Sequence, residues 1–176
     1  MTAVIAYAWL AFGLYWLLAA VRAKRGSRTS RCRAPGLLAI VAIVLLRVLS
    51  SDTLAVHSLG LQVIGVIVFA AGLGLAVWAR IYLGRNWGMP MTKKEEPELV
   101  TSGPYRFVRH PIYSGILVAL LGTALATNLY LLIAVVVLGA YFVYSATVEE
   151  RILTTSFPDS YPTYRAGTKM LIPFVL

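Results

Sequence analysis

Residues 2–21 carry no charged side chain, and a second uncharged run of 37 residues covers 112–148. Between them, an apolar run opening at Pro35-Gly36 and ending near Ser51 is broken only by Arg47, and another occupies 54–83. About 20 apolar residues in a helix cross a bilayer core of about 30 Å, so residues 2–21 read as one span. At about 1.5 Å per residue the run 112–148 would be roughly 55 Å as one helix. Two passes are more economical, and Thr127-Asn128 supplies the polar turn signal between them. The pattern therefore predicts an all-α polytopic membrane protein of about five transmembrane helices, near 2–21, 36–51, 54–83, 112–126 and 129–148. The last two form a helical hairpin, and the whole chain, 1–176, reads as a single membrane domain.

Details refine these spans. The run 54–83 is longer than the bilayer requires and is expected to tilt or protrude. Its small residues Ala70, Gly72, Gly74 and Ala76 suit close helix packing. Gly72-Leu73-Gly74 is no nucleotide-binding fingerprint, because it lies inside a span and not at a strand-to-helix turn. Arg47, near the outer end of its run and close to Asp52, is expected to snorkel to the interface. Trp78, Tyr82 and Trp87, mixed with Arg80 and Arg85, read as an interfacial aromatic belt. Residues 84–111 break the pattern with Pro90, Pro97, Pro104 and Pro111, and so long a loop is usually functional.

Composition agrees with the pattern. The chain is 59% hydrophobic and 13% charged, against about 25% charged in soluble domains. The net charge of +9 is not a nucleic-acid signature here, since groove-reading motifs are absent. Of 16 Lys and Arg residues, 6 lie in 22–33, 6 in 80–109 and 3 in 151–169. With the N-terminus outside, five spans put all three segments in the cytoplasm, as the positive-inside rule requires. Charges follow the first run instead of preceding it, which predicts an uncleaved span and not a signal peptide. One cysteine, Cys32, and two histidines, His57 and His110, are too few for a four-ligand zinc site. Flanked by Arg31 and Arg33, Cys32 reads as a non-catalytic loop cysteine.

Ionisable residues where apolar helices meet the interface are candidates for function. Two clusters qualify, Gly103–Gly115 around Arg109 and His110, and Glu149-Glu150-Arg151. The first runs into the fourth span and the second out of the fifth, so a hairpin brings Arg109 and His110 near Glu149 and Glu150. Each has a simpler reading. Arg109-His110 is also a basic pair that fixes topology, and Pro111 suits a first helical turn. Glu149-Glu150 would be mildly unfavourable at a helix C-terminus, an anomaly that a cationic ligand would explain.

The segment Leu99-Val100-Thr101-Ser102-Gly103-Pro104-Tyr105, then Arg109-His110-Pro111-Ile112-Tyr113-Ser114-Gly115, resembles the signature of the isoprenylcysteine carboxyl methyltransferases. Glu149-Glu150, Phe157, Tyr161, Tyr164 and Ile172-Pro173-Phe174 follow in the family's order, and Leu83–Trp87 is similar to a block of bacterial relatives. The resemblance covers about residues 80–176. It implies S-adenosylmethionine as cofactor, bound in a cytoplasmic pocket formed by the loop and the C-terminal tail, with a catalytic region of about 84–176. By the same resemblance Gly103, Tyr105, His110, Pro111 and Tyr113 shape the cofactor pocket. Glu149 and Glu150 meet the cofactor's cationic end, and Tyr161 and Tyr164 close the pocket. Arg109 and Glu150 are the catalytic candidates, with Arg109 pairing with an acceptor carboxylate; no metal is implied.

A carboxylate is already ionised at neutral pH, so methylating it needs alignment and desolvation but no general base. An amine acceptor must lose a proton, and His110 or a glutamate would be the base. The leading expectation is methyl transfer to a lipophilic acceptor, an isoprenylcysteine-like carboxylate, in a bacterial or archaeal plasma membrane. The alternatives are a phospholipid N-methyltransferase, a nicotinamide-dependent membrane reductase (whose known examples are much longer) and a non-catalytic membrane scaffold.

Overall fold

The computed structural model describes residues 2–20, 26–28, 53–87, 92–94 and 98–172. The expected span 36–51, with Arg47, lies outside these residues, as do Asp52 and Cys32. The described chain is predominantly helical: α1 (Thr2–Ala20), α2 (Leu59–Leu83), α3 (Pro111–Ala126), α4 (Leu131–Ser156) and the short α5 (Tyr161–Gly167). Two three-residue strands, β1 (Gly26–Arg28) and β2 (Thr92–Lys94), pair antiparallel with Gly26 opposite Lys94. α1, α2 and α4 are long and apolar enough to cross a membrane. α3 has 16 residues, about 24 Å at 1.5 Å per residue.

α2 and α3 pack antiparallel along a seam of small residues. Gly65, Phe69, Gly72, Ala76 and Ala79, five of the six buried positions of α2, are spaced alternately four and three apart. Gly115, Ala119, Gly122 and Ala126 answer them with the same spacing on α3. A Cβ at Gly65, Gly72, Gly115 or Gly122 would come within 3.0 Å of backbone atoms of the facing helix. Lipid tails are as apolar as the helix surfaces, so close backbone approach, not water exclusion, drives this association. The sequence placed the seam partly wrongly. Gly72 and Ala76 belong to it, but Ala70 and Gly74 are exposed and a Cβ at Gly74 meets nothing. The seam follows the 4-3 spacing of one helix face, and a strict four-residue step drifts off it.

Two helix boundaries and the loop between them also differ from expectation. α2 begins at Leu59, because residues before it pair with the hairpin turn: Val56 N–H donates to Thr127 O (2.9 Å) and Leu129 N–H to Leu54 O (3.0 Å). The turn is closed by Tyr130 N–H donating to Asn128 Oδ1 (2.9 Å). α4 continues to Ser156, six residues past Glu150. Glu149 and Glu150 therefore sit within the helix and not at its C-terminus, so the expected dipole penalty, confined to the last turn, does not arise. The loop after α2 is not structureless: it holds a 3-10 turn at Gly84–Asn86, β2, and a second 3-10 turn at Gly103–Arg106.

α1 lies against this pair through buried Ile5 and through Trp9, whose indole N–H donates to Thr123 Oγ1 (3.1 Å). At its far end Arg80 of α2 is buried, donating to Ala19 O (2.8 Å) and Gly84 O (2.6 Å). Ala19 O is a carbonyl that a helix end leaves without an intrahelical partner, and Gly84 O accepts as well from Trp87 N–H (3.4 Å). The guanidinium lies 4.8 Å from the Trp87 ring centroid and 5.9 Å from that of Trp16, within cation-π range. Arg80 and Trp87 thus leave the belt the sequence assigned them, while Trp78 and Tyr82 are exposed as expected. The result is a bundle in which loop residues 84–87 and 98–110 and tail 157–172 share the end defined by the C-termini of α2 and α4.

Overpacking of a tight contact costs about 1–3 kcal/mol or more. Gly72→Leu should therefore lower the thermal unfolding midpoint in detergent sharply, while Gly74→Leu, at an open position, should leave it nearly unchanged. Equal losses in the two variants would contradict the seam.

Candidate active site

The site is assembled from three stretches of backbone held in register. Arg109 N–H donates to Lys169 O (2.8 Å) and His110 N–H to Met170 O (3.0 Å), with Val108 bridged in parallel to Lys169. Ser114 Oγ continues the zipper, donating to Leu171 O (2.6 Å). The tail is thus fastened along the loop that enters α3. Pro111, fully buried, occupies the first turn of α3, where its missing N–H costs nothing. Gly103 has φ +59°, and a Cβ there would strike the Tyr82 ring, so this glycine serves the turn that carries Tyr105.

Glu150 is the centre of the charge network. Its side chain is only 4% exposed, yet Arg109 Nε donates to Oε1 (2.7 Å) and Arg165 Nε lies 3.3 Å from Oε2. His110 lies between the two glutamates, with Nδ1 3.5 Å from Glu149 Oε2 and Nε2 3.5 Å from Glu150 Oε1. The second distance is an ion-pair contact without a hydrogen bond, and Nε2 is buried with no hydrogen-bond partner among the described residues. Burial pulls the His110 pKa down, but the two carboxylates outweigh it and raise it above the ordinary imidazole value of 6.5.

An aromatic stack runs beside the charges. The His110 and Tyr113 rings are parallel at 5.5 Å, and Tyr113 and Phe142 at 4.4 Å. Tyr113 OH donates to Glu149 Oε1 (2.6 Å). From the tail, Tyr164 OH donates to Tyr105 O (2.6 Å), and Tyr105 OH reaches Ala79 O at 3.4 Å. Tyr161 is 1% exposed and its hydroxyl has no partner among the described residues. Burial raises the Tyr164 pKa to about 12 against the pull of Arg109. Burial first, and then the charge of Glu150, also raises that of Tyr161. These phenols are hydrogen-bonding groups, not bases.

Arg109, His110, Tyr113, Glu149, Glu150 and Tyr161 thus fall in one cluster, with Pro111 starting the helix that carries Tyr113. Gly103, Tyr105 and Tyr164 flank it as supports. One placement is informative. Arg109 Nη1 donates to the carbonyls of Thr168 and Arg165, and the side chain is 8% exposed. Its Nε and Nη1 are committed to Glu150 and the tail. The residues that sequence reading passed over are Arg165 and Phe142. Arg165 directly follows the quoted Tyr164, and Phe142 lies seven residues before Glu149 on the inward face of α4.

The family model for phospholipid methyltransferases matches residues 61–160, more than half of the chain. The chain belongs to the phospholipid methyltransferase family. The matched stretch contains both charged clusters of the site and stops one residue before Tyr161. A protein-S-isoprenylcysteine O-methyltransferase of Schizosaccharomyces pombe is 33% identical over 101 residues, 55% of this chain and 43% of that protein. The cobalt-zinc-cadmium resistance protein CzcN of Cupriavidus metallidurans is 32% identical over 104 residues, 57% of this chain and 48% of its own length. Methanethiol S-methyltransferase 1 of Bradyrhizobium diazoefficiens is 41% identical over 78 residues, 44% and 27% of the two chains. The chain thus spans less than half the length of each of these relatives. The relative from Schizosaccharomyces pombe bears out the resemblance to isoprenylcysteine carboxyl methyltransferases within this phospholipid methyltransferase family.

A histidine whose folded pKa is raised stabilises the fold fully below its unfolded value, and the stabilisation is lost as pH rises through the folded value. Thermal unfolding in detergent should therefore show stability falling as pH is raised above 6.5, a slope that His110→Gln flattens. An unchanged slope in the variant would remove the ion pairs assigned to His110.

Proposed function

We propose that this chain is an integral-membrane, S-adenosylmethionine-dependent methyltransferase that modifies the carboxylate of a lipophilic, isoprenylcysteine-like acceptor. The observation that carries the reading is the single cluster in which loop, helix and tail deliver Arg109, His110, Glu149, Glu150 and Tyr161 to one end of an apolar bundle. In this reading five spans place that end in the cytoplasm and the N-terminus outside.

The residues suit this cofactor. Two carboxylates within one helix turn can face its ammonium and sulfonium charges, and flat rings at His110 and Tyr113 can pack against its purine. The buried hydroxyl of Tyr161 and the Nε2 of His110 both lack hydrogen bonds among the described residues. Such atoms usually have an unfilled partner. When bound, S-adenosylmethionine supplies an electrophilic methyl group on a sulfonium sulfur. The chain's own residues bind, orient and exclude water. Glu149, less buried than Glu150, meets the cationic end. Glu150 holds Arg109 and Arg165 in place, and Tyr161 and Tyr164 keep the tail closed over the loop.

A carboxylate acceptor fits this inventory better than an amine does. An amine needs a base, and His110 keeps its own proton more tightly than an ordinary histidine because two carboxylates flank it. The reaction then consists of alignment in a dry site, which is what the buried cluster supplies.

The test is transfer of a radiolabelled methyl group from S-adenosylmethionine by the purified chain in lipid nanodiscs. With a prenyl-thioether cysteine as acceptor, the label should be released by mild alkali as methanol, as from a methyl ester. Glu149→Gln should weaken cofactor affinity by about tenfold or more, because one charge-assisted contact is worth about 1.5–3 kcal/mol. Alkali-stable label, or none on this acceptor, would refute the carboxylate assignment.

A further inference from the structure

We propose that Arg165, and not Arg109, is the residue that recognises the anionic group of the acceptor. This rests on the methyltransferase reading above and names the group that selects its substrate. The two arginines share one carboxylate, with Arg109 Nε on Glu150 Oε1 and Arg165 Nε near Oε2. They differ in what remains. Arg109 is buried, and its Nη1 is spent on the carbonyls of Thr168 and Arg165. A two-pronged grip by its Nη pair would require the tail to release Nη1.

Arg165 is the opposite case. Its side chain is 57% exposed, and among the described residues its Nη nitrogens donate to nothing. A guanidinium carries five donors in a planar fork, so the Nε side can face Glu150 while the Nη pair donates end-on to a carboxylate. Anchoring through Nε removes much of the rotational freedom that makes an exposed arginine a poor receptor. Arg106, an exposed cation of the loop, lies 4.5 Å from the Phe107 ring centroid and has no carboxylate partner among the described residues. Glu150 therefore acts on the acceptor through Arg165, holding it at the rim of the buried cluster. The acceptor class that fits is a small carboxylate on a lipophilic body, with one oxygen held by Arg165 and the other free to enter the buried cluster.

The experiment measures binding, not turnover. N-acetyl-S-farnesylcysteine and its methyl ester are titrated into the full chain in nanodiscs of neutral lipid, with S-adenosylmethionine affinity measured in parallel. Wild type should prefer the acid by about tenfold, the scale of one oriented ion pair. Arg165→Gln should abolish that preference and Arg165→Lys restore part of it, both with cofactor affinity within about twofold of wild type. Arg109→Lys should retain the preference. Because Arg165 is exposed, its variants should unfold near the wild-type temperature. If Arg165→Gln binds S-adenosylmethionine normally and still prefers the acid, the proposal is overturned while the methyltransferase reading stands. If wild type binds S-adenosylmethionine but does not distinguish acid from ester, the proposal is equally overturned. If wild type binds neither cofactor nor probe, both readings fall together.

Discussion

A carboxylate with 4% of its side chain exposed, between two arginines and a histidine, sets the terms for this end of the molecule. An ionised group cannot be taken out of water without compensation, and a buried pair that loses one partner costs about 3–5 kcal/mol. Glu150 therefore obliges the loop at 109–110 to stay against α4, and Arg109, bonded also to the carbonyls of Thr168 and Arg165, carries the tie on to the tail. The backbone agrees: the hydrogen bonds from Arg109 and His110 to Lys169 and Met170 draw the same two segments into register. Charge and backbone pairing make one joint, and the aromatic groups of the site are mounted on it.

The joint depends on the bundle for its position. α2 and α3 approach until only glycine fits at four facing positions. That proximity brings the start of α3, with His110 and Tyr113, beside the end of α2, with Arg80 and the turn at Gly84. α4 then needs only a short turn at Asn128 to return to the same end. Its extra length past Glu150 carries the chain out to the tail, so the acidic pair sits beside the loop it must meet. Arg80 performs a different task, tying α1 to this corner through Ala19 O and two tryptophans.

Much of this was legible in the sequence. The uncharged run 112–148 and the Thr127-Asn128 punctuation gave the hairpin, and the hairpin alone implied that Arg109 and His110 meet Glu149 and Glu150. Family resemblance supplied the remaining names. What the pattern of residues did not carry was partner choice. In sequence Arg109 and Arg165 are simply two cations of the basic segments, and only the geometry distinguishes the one that is consumed from the one that is presented. Hydropathy likewise says that Arg80 lies near an interface, but not that two carbonyls and two indoles wait for it. Helix ends were misplaced where backbone pairing, as at Leu54 and Val56, replaced helical bonds.

The most direct test of the account is a double-mutant cycle on the unfolding free energy of the chain in detergent, using Arg109→Gln, Glu150→Gln and the double variant. Contacting charges show coupling of about 0.5–3 kcal/mol. The account predicts strong coupling, with the second substitution costing far less once the first is in place. Additive losses, within about 0.5 kcal/mol, would mean that loop and tail are not joined through Glu150, and the site described above would not exist as a unit.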